Sequence, residues 1–317
     1  MTTAFPRSAA KPEASIIVPT RDRHALVGGT LKSLLAQDFP RDRYEIIVVD
    51  DGSDRPVEVP EGVRLCRHDQ TRGPNAARNT GAREARAELL CYVDDDVETP
   101  PHWLAEIVEG AARHPDAMGV GGRIRLRIES NSVRRLSCRS CSAGNDELLG
   151  GLDLGDVERV TQEYMWSANF AVRKEALAAV GNFNEALPIY FEELELQDRL
   201  RDSGRSVVYL PDAWLWHRRP EEALRLTSRL RKSFRQGYGW AFYDLARGNQ
   251  LNLVSETARI PVYLAHALLR GCSVGLLSSA RASGKLVGYA NHLLDRGRRT
   301  DRDVSSPEGR WRGDPTP

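Results

Sequence analysis

The chain has 317 residues, with 45 Lys plus Arg against 44 Asp plus Glu, so its formal net charge is +1. Apolar residues are 41% and charged residues 28%, which suits a globular chain with an ample core and excludes a disordered or fibrous one. The charge balance gives no electrostatic reason to bind nucleic acid, and no uncharged run reaches the roughly 18–20 residues of a membrane-spanning helix.

Residues 1–13 carry Pro6 and Pro12 and lack the apolar core of a secretory signal, so they are expected to be a disordered leader. The five cysteines (Cys66, Cys91, Cys138, Cys141, Cys272) are an odd count and read as free thiols in a reducing compartment. Cys138 and Cys141 form a single CxxC; a zinc knuckle needs a second ligand pair, and none stands at suitable spacing. The first predicted strand is Ser15-Ile16-Ile17-Val18, stopped by Pro19. Residues 24–37 place Leu26, Val27, Leu31, Leu34 and Leu35 at helical spacing. A second apolar strand, 44–49, runs into Asp50-Asp51-Gly52-Ser53; a third covers 63–66. Residues 75–87 read as a helix, and a fourth strand, 89–93, stops at Asp94-Asp95-Asp96.

The second half predicts a helix over 103–112 and an alternating strand over 118–128. Residues 129–160 are polar, irregular and glycine-bearing, and read as a mobile excursion. A strand is predicted at 165–172, a helix at 174–180, a polar helix at 192–202 ended by Gly204, and a strand at 206–210 stopped by Pro211. From 221 the pattern is helical to about 296, and 298–317 are charged, rich in Pro and Gly, and expected to be disordered. Alternating strands and helices, with strands apolar throughout, predict a mostly parallel α/β sheet covered on both faces. Ligands of such sheets collect at the carboxyl ends of the strands, where two strands deliver acidic clusters.

Three adjacent carboxylates repel one another unless a cation or hydrogen-bond donors offset them. A hard divalent cation would do so and would bridge to phosphate oxygens; the plain alternative is a solvated turn before Pro100-Pro101. Asp50 and Asp51 equally fit an ordinary strand exit or a phosphoacceptor receiver domain. Residues 72–81 open a helix whose N-terminus and arginines can face an anion, or are simply solvated.

Taken together, Ser15 through Arg23, then residues 45–53, 73–81 and 92–97, in this order and spacing, resemble the family 2 glycosyltransferases. Trp166-Ser167-Ala168-Asn169-Phe170-Ala171-Val172-Arg173 is similar to that family's acceptor-side segment, and the likeness continues through Phe183-Asn184-Glu185, residues 192–199 and His217. It covers about residues 14–218. The resemblance implies a GT-A fold, a Rossmann-like mixed sheet flanked by helices, as one domain over 14–220 with a helical extension over 221–297. It implies transfer from a nucleotide-diphosphate sugar, with UDP-sugars the commonest donors, and inversion at the anomeric carbon. By the same resemblance Pro19, Thr20, Arg21, Asp50, Asp51 and Arg72 line the nucleotide, Asp94 and Asp95 approach the ribose and diphosphate, and Asp96 with His217 holds Mg²⁺ or Mn²⁺. Trp166, Asn169 and Arg199 fall on the acceptor side. The family's base is an Asp in a Glu-Asp pair; here the pair is Glu192-Glu193, which puts Glu193 in the base position with Glu192 as its rival. Read without the resemblance, Glu192-Glu193 is an acidic first helical turn, and His217 a helix-side or core histidine next to Trp214 and Trp216.

The expected acceptor is a hydroxyl of a glycan, lipid-linked or small molecule. Two other readings stay open: a sugar-nucleotide nucleotidyltransferase, though Pro19-Thr20-Arg21-Asp22-Arg23 lacks that class's glycine-rich loop, and a non-catalytic nucleotide-sugar binder. In 221–280 a basic stretch (Arg225, Arg229, Arg231, Lys232, Arg235) interleaved with apolar residues precedes a run, 260–280, whose single charge is Arg270. Such a segment fits peripheral membrane contact, or else packing and homodimerisation. The expected location is the cytoplasm, at or near the inner face of the membrane.

Overall fold

A computed structural model describes residues 11–129, 150–187, 192–249 and 253–299. Cys138, Cys141, most of the 129–160 segment, and the expected disorder of the leader and tail fall outside the described residues, apart from the ends 11–13 and 298–299. The chain divides into two compact units: the first runs to Asn184 and includes Glu192–Ser228, and the second is mainly Arg229 onward.

The first unit is built on a nine-stranded mixed sheet. Strand β1 (Ala14–Thr20) lies between β2 (Tyr44–Asp50) and β4 (Leu89–Tyr92), parallel to both, and β3 (Val63–Arg67) is parallel to β2. Beyond β4 come β8 (Phe170–Arg173), antiparallel, then β6 (Ala117–Glu129) and β9 (Ser206–Pro220), parallel to each other. Two short strands, β5 (Val97–Glu98) and β7 (Arg159–Thr161), pair antiparallel with β9.

Side chains alternate across a strand, and the alternation divides the apolar run of β1 and β2 between two cores. Ile16, Val18, Ile46 and Val48 pack with α1 (His24–Leu35) and α3 (Trp103–Arg113) through Leu31, Leu34, Trp103 and Ile107. Ile17, Ile47 and Val49 pack on the other face with Ala77 of α2 (Pro74–Glu84), Leu177 of α4 (Lys174–Ala179) and Leu196 and Leu200 of α5 (Glu192–Asp202). These continuous apolar strands are therefore buried on both sides.

Two predicted strands differ from the structure. The segment 165–172 is a strand only from Phe170; Ser167–Asn169 form a 3₁₀ turn. The Gln197 side chain takes over Met165, accepting from its N–H at 2.9 Å and donating to its carbonyl at 2.7 Å, so no ladder is needed there. The strand expected to stop at Pro211 instead runs on to Pro220. Pro211 has no N–H to give to a ladder, and the register slips around it, from Gly122 opposite Leu210 to Ile124 opposite Leu215. A Cβ on Gly122 would lie 1.7 Å from the Ala213 carbonyl oxygen, so this slip requires glycine. The slip matters because the rest of β9 carries His217 beside β5.

The second unit contains α6 (Leu226–Ala246), α7 (Leu253–Arg270) and α8 (Ser273–Arg299). Backbones meet closely where Gly284 and Gly288 of α8 face Phe234 and Tyr238 of α6. A buried polar group ties the three helices: Lys285 lies 2.9 Å from Asp244 and 3.3 Å from Glu256, and Tyr289 donates to Asp244. Among the described residues no helix is long and apolar enough to cross a membrane.

Candidate active site

The sheet brings its acidic exits together at one edge. Thr20, the last residue of β1, pairs with Asp50, and Ile17 pairs with Tyr92, so the segments after β1, β2 and β4 emerge side by side. Thr20 joins the two clusters directly. Its carbonyl accepts from the Asp51 N–H at 2.9 Å, and its hydroxyl donates to Asp95 Oδ2 at 2.6 Å.

On the β2 side both carboxylates shape loops. Asp50 is fully buried; it accepts from the N–H groups of Ser53 (2.9 Å) and Val57 (3.2 Å) and from Arg67. Burial alone would raise its pKa, but these donors outweigh burial and hold it below the usual carboxylate range. Asp51 accepts from Thr71 Oγ1 (2.9 Å) and from the backbone N–H groups of Arg72 (2.9 Å) and Gly73 (2.8 Å), and it lies 2.7 Å from His68 Nδ1. It thereby folds the loop that enters α2. Arg21, mostly exposed, reaches across to Thr71 at 3.1 Å. Arg67, His68, Asp69, Gln70 and Arg72 line a cavity of about 400 Å³ beside this loop.

On the β4 side, Arg23 forks over the aspartates, donating to Asp95 Oδ1 and to Asp96 Oδ2 at 2.6 Å each. Thr30 of α1 holds the same turn from beneath, donating to the carbonyls of Asp95 and Val97 at 2.8 Å. Burial pushes the Asp95 carboxyl up to about 7, against the pull of Arg23 and Thr20. For Asp96 the balance is reversed: burial is outweighed by His217, Arg219 and Arg23, and the group stays far below the ordinary carboxylate range.

His217 arrives through the register of β9, where it sits opposite Val97, one residue past Asp96. One oxygen each of Asp94 and Asp96 and one ring nitrogen of His217 all lie within 4.8 Å of one another. His217 Nε2 is 2.9 Å from Asp96 Oδ1 and 3.9 Å from Asp94 Oδ2. Asp96 and His217 are 3% and 4% exposed, and their facing atoms, Asp96 Oδ1 and His217 Nε2, have no other hydrogen-bond partner. Buried polar atoms are nearly always satisfied, and a carboxylate oxygen and an imidazole nitrogen that face each other here are ligand atoms a cation can satisfy. His217 Nδ1 lies 3.0 Å from the Gly150 carbonyl and 3.1 Å from Arg219 Nη2, so Nε2 is the ring nitrogen turned to the carboxylates. Arg219 Nη1 donates to Asp96 Oδ2 at 2.8 Å. The residues thus fit a divalent cation held by two carboxylates and one imidazole.

The remaining expected site residues divide into two kinds. Glu193 lies buried on the first turn of α5, while the side chain of Glu192 lies outside the described residues. Arg199 staples α5, pairing with Glu195 at 2.7 Å and donating to the carbonyls of Val180 and Asn182. Asn169 has no exposure: it accepts from Trp103 Nε1 at 2.9 Å and donates to the carbonyls of Arg123 (3.1 Å) and Ala213 (2.8 Å). It pins the bulge of β9 to the 3₁₀ turn. Trp166, at the start of that turn, packs partly buried on the first core.

Sequence reasoning gave no role to Arg23, Arg219 or Gly150, and placed Arg78 only among the helix arginines that can face an anion. Arg78 links three segments: it donates to Asn75 Oδ1 (3.2 Å) and Ser167 Oγ (2.8 Å) and lies 3.8 Å from Asp94 Oδ1. Arg219 carried a usable signal, because it stands two residues after His217, on the same side of an extended strand. Gly150 carried none.

The profile described as Glycosyl transferase family 2 matches residues 15–181. The chain is 31% identical over 225 residues to the uncharacterized protein y4gI of Sinorhizobium fredii, covering 65% of this chain and 24% of that protein. It is 29% identical over 231 residues to the pre-mycofactocin glycosyltransferase of Mycobacterium tuberculosis, covering 68% and 45%. The chain therefore spans less than half the length of these relatives. Among solved structures it is similar to the mannosyltransferase PcManGT of Pyrobaculum calidifontis in complex with GDP-Man and Mn²⁺, with a TM-score of 0.54 and 18% identity over 95% of this chain and 83% of that one. That likeness is one of fold, the GT-A arrangement expected from the sequence.

Proposed function

The chain belongs to glycosyl transferase family 2, and from that premise we propose that it is a metal-dependent, inverting transferase. It moves a sugar from a nucleotide-diphosphate sugar, with a UDP-sugar as the first choice, to a hydroxyl of a glycan, lipid-linked or small-molecule acceptor. The observation that carries this reading is the convergence of Asp94, Asp96 and His217 at the sheet edge shared with Thr20 and Asp51. The likeness to a fold seen with GDP-Man and Mn²⁺ supports it.

Asp94, Asp96 and His217 would hold Mg²⁺ or Mn²⁺, which when bound acts as a Lewis acid on the diphosphate leaving group. Arg23 and Arg219 fix the Asp96 carboxylate that faces it, so this ligand is set before the donor arrives. The loop folded by Asp51, with Pro19, Thr20, Arg21 and Arg72 nearby, receives the nucleoside. Glu193 is assigned the base: it takes the proton of the acceptor hydroxyl as that oxygen attacks the anomeric carbon and the bond to the diphosphate breaks. Glu192 is the competing assignment. We place this work in the cytoplasm, at the inner face of the membrane, with peripheral contact through 221–280; a homodimer through the same region is the competing arrangement.

Thermal unfolding with a panel of UDP, GDP and dTDP, each with and without Mn²⁺, tests the donor reading. A ligand at 100 times its Kd adds about 2.7 kcal/mol, which for a unit of this size raises Tm by about 5–10 °C. One nucleotide is expected to do so only with Mn²⁺ present. No shift with any of them contradicts the proposal.

A further inference from the structure

Helix α7 turns an apolar face outward. Val254, Ala258, Pro261, Val262, Ala265, Leu268 and Leu269 are all exposed, and at 3.6 residues per turn they fall within an arc of about 120°. Val254, Leu268 and Leu269 are 82–83% exposed. The buried residues are Ala267 and Glu256; Glu256 is 8% exposed and is held by Arg259 at 3.1 Å and Lys285 at 3.3 Å. That pairing fixes the rotation of the helix and turns its apolar stripe outward. A contiguous exposed apolar face on an otherwise folded helix marks an interaction surface.

We propose that this stripe is a docking face for the surface of an anionic phospholipid bilayer. Two observations select that occupant. The first is charge. The exposed charged residues of α7 are Arg259 and Arg270, both cationic, and its one carboxylate, Glu256, is buried and paired. An apolar arc with arginines along one side, in a helix too polar to span, is the pattern of a helix lying in the interface plane. The second is area. Eighteen residues at ~1.5 Å each give a stripe about 27 Å long and about 10 Å wide, or about 300 Å². A stable dimer needs about 800 Å² per partner, whereas a bilayer needs no matching partner surface. The inference extends the membrane contact proposed above to a named face and a named lipid chemistry.

Flotation of the full chain with phosphatidylcholine vesicles, with and without phosphatidylglycerol, tests it. The chain is expected to float with the phosphatidylglycerol vesicles and to stay behind with phosphatidylcholine alone. The double variant Val262→Asp, Leu268→Asp changes only exposed positions and is expected to lose at least about tenfold in vesicle partitioning. Arg270→Gln is expected to weaken the preference for phosphatidylglycerol. Flotation of the double variant equal to that of the parent chain overturns the proposal, as does no flotation of the parent. Concentration-dependent dimerisation that the double variant abolishes would assign the face to a second copy and also overturn it. The Mn²⁺-dependent nucleotide shift, measured on the same variants, stays at the parent value; its loss in the parent chain would count against the transfer reading and not against the docking face.

Discussion

Asp96→Ala is expected to cut turnover severely and to weaken donor binding. Asp96 is the residue on which the site's interactions converge: His217 Nε2 stands 2.9 Å from one oxygen, and Arg23 and Arg219 bind the other at 2.6 and 2.8 Å. Removing it takes away a cation ligand and leaves two guanidinium groups without their shared carboxylate. A cation's stabilisation of a departing diphosphate is worth several kcal/mol, and each 1.36 kcal/mol is tenfold in rate. The expected loss is therefore about three orders of magnitude or more in kcat/KM. The Mn²⁺-dependent thermal shift with the preferred nucleotide should shrink with it. Arg23 is partly exposed and can relax into water, so the fold is expected to survive. A variant that turns over near the parent rate with unchanged Mn²⁺ dependence would remove Asp96 from the cation site.

Glu193→Gln separates binding from chemistry. The substitution keeps shape and takes away the ability to accept a proton, so the donor shift should match the parent while transfer falls. General base catalysis contributes about 10²–10⁴-fold, and the loss should lie in that range and in kcat. Glu192→Gln is the internal comparison and is expected to lose much less. Full activity in Glu193→Gln refutes the assignment, and a large loss only in Glu192→Gln transfers it to the neighbour.

The sequence made the acidic exits legible because their signals are local. An apolar run that ends in Asp50-Asp51 or Asp94-Asp95-Asp96 states both the strand and its end. The clamps on those residues were not legible: Arg23 meets Asp95 and Asp96 from 72 and 73 residues away, and Arg219 meets Asp96 from 123. Pro211 gave a sound local reason to end a strand, but a register slip around Gly122 overrode it, and that slip is what carries His217 to the site. Asn169 was expected on the acceptor side by resemblance; that its amide also binds Trp103, Arg123 and Ala213 was not legible, because these partners come from distant strands and helices. In α7 the apolar composition was visible in the sequence. Which side faced outward depended on Glu256 meeting Lys285, a contact 29 residues away that periodicity does not encode.

The central claim is that carboxylates from one strand exit and a histidine from a distant strand share one cation at the nucleotide crevice. Crystals grown with Mn²⁺ and the nucleoside diphosphate that gives the largest thermal shift test it through the anomalous signal of manganese. The expected result is one strong peak within bonding distance of Asp94 or Asp96 and of His217 Nε2, touching the diphosphate. A diphosphate bound in the crevice with its manganese held elsewhere, away from Asp96 and His217, would contradict it.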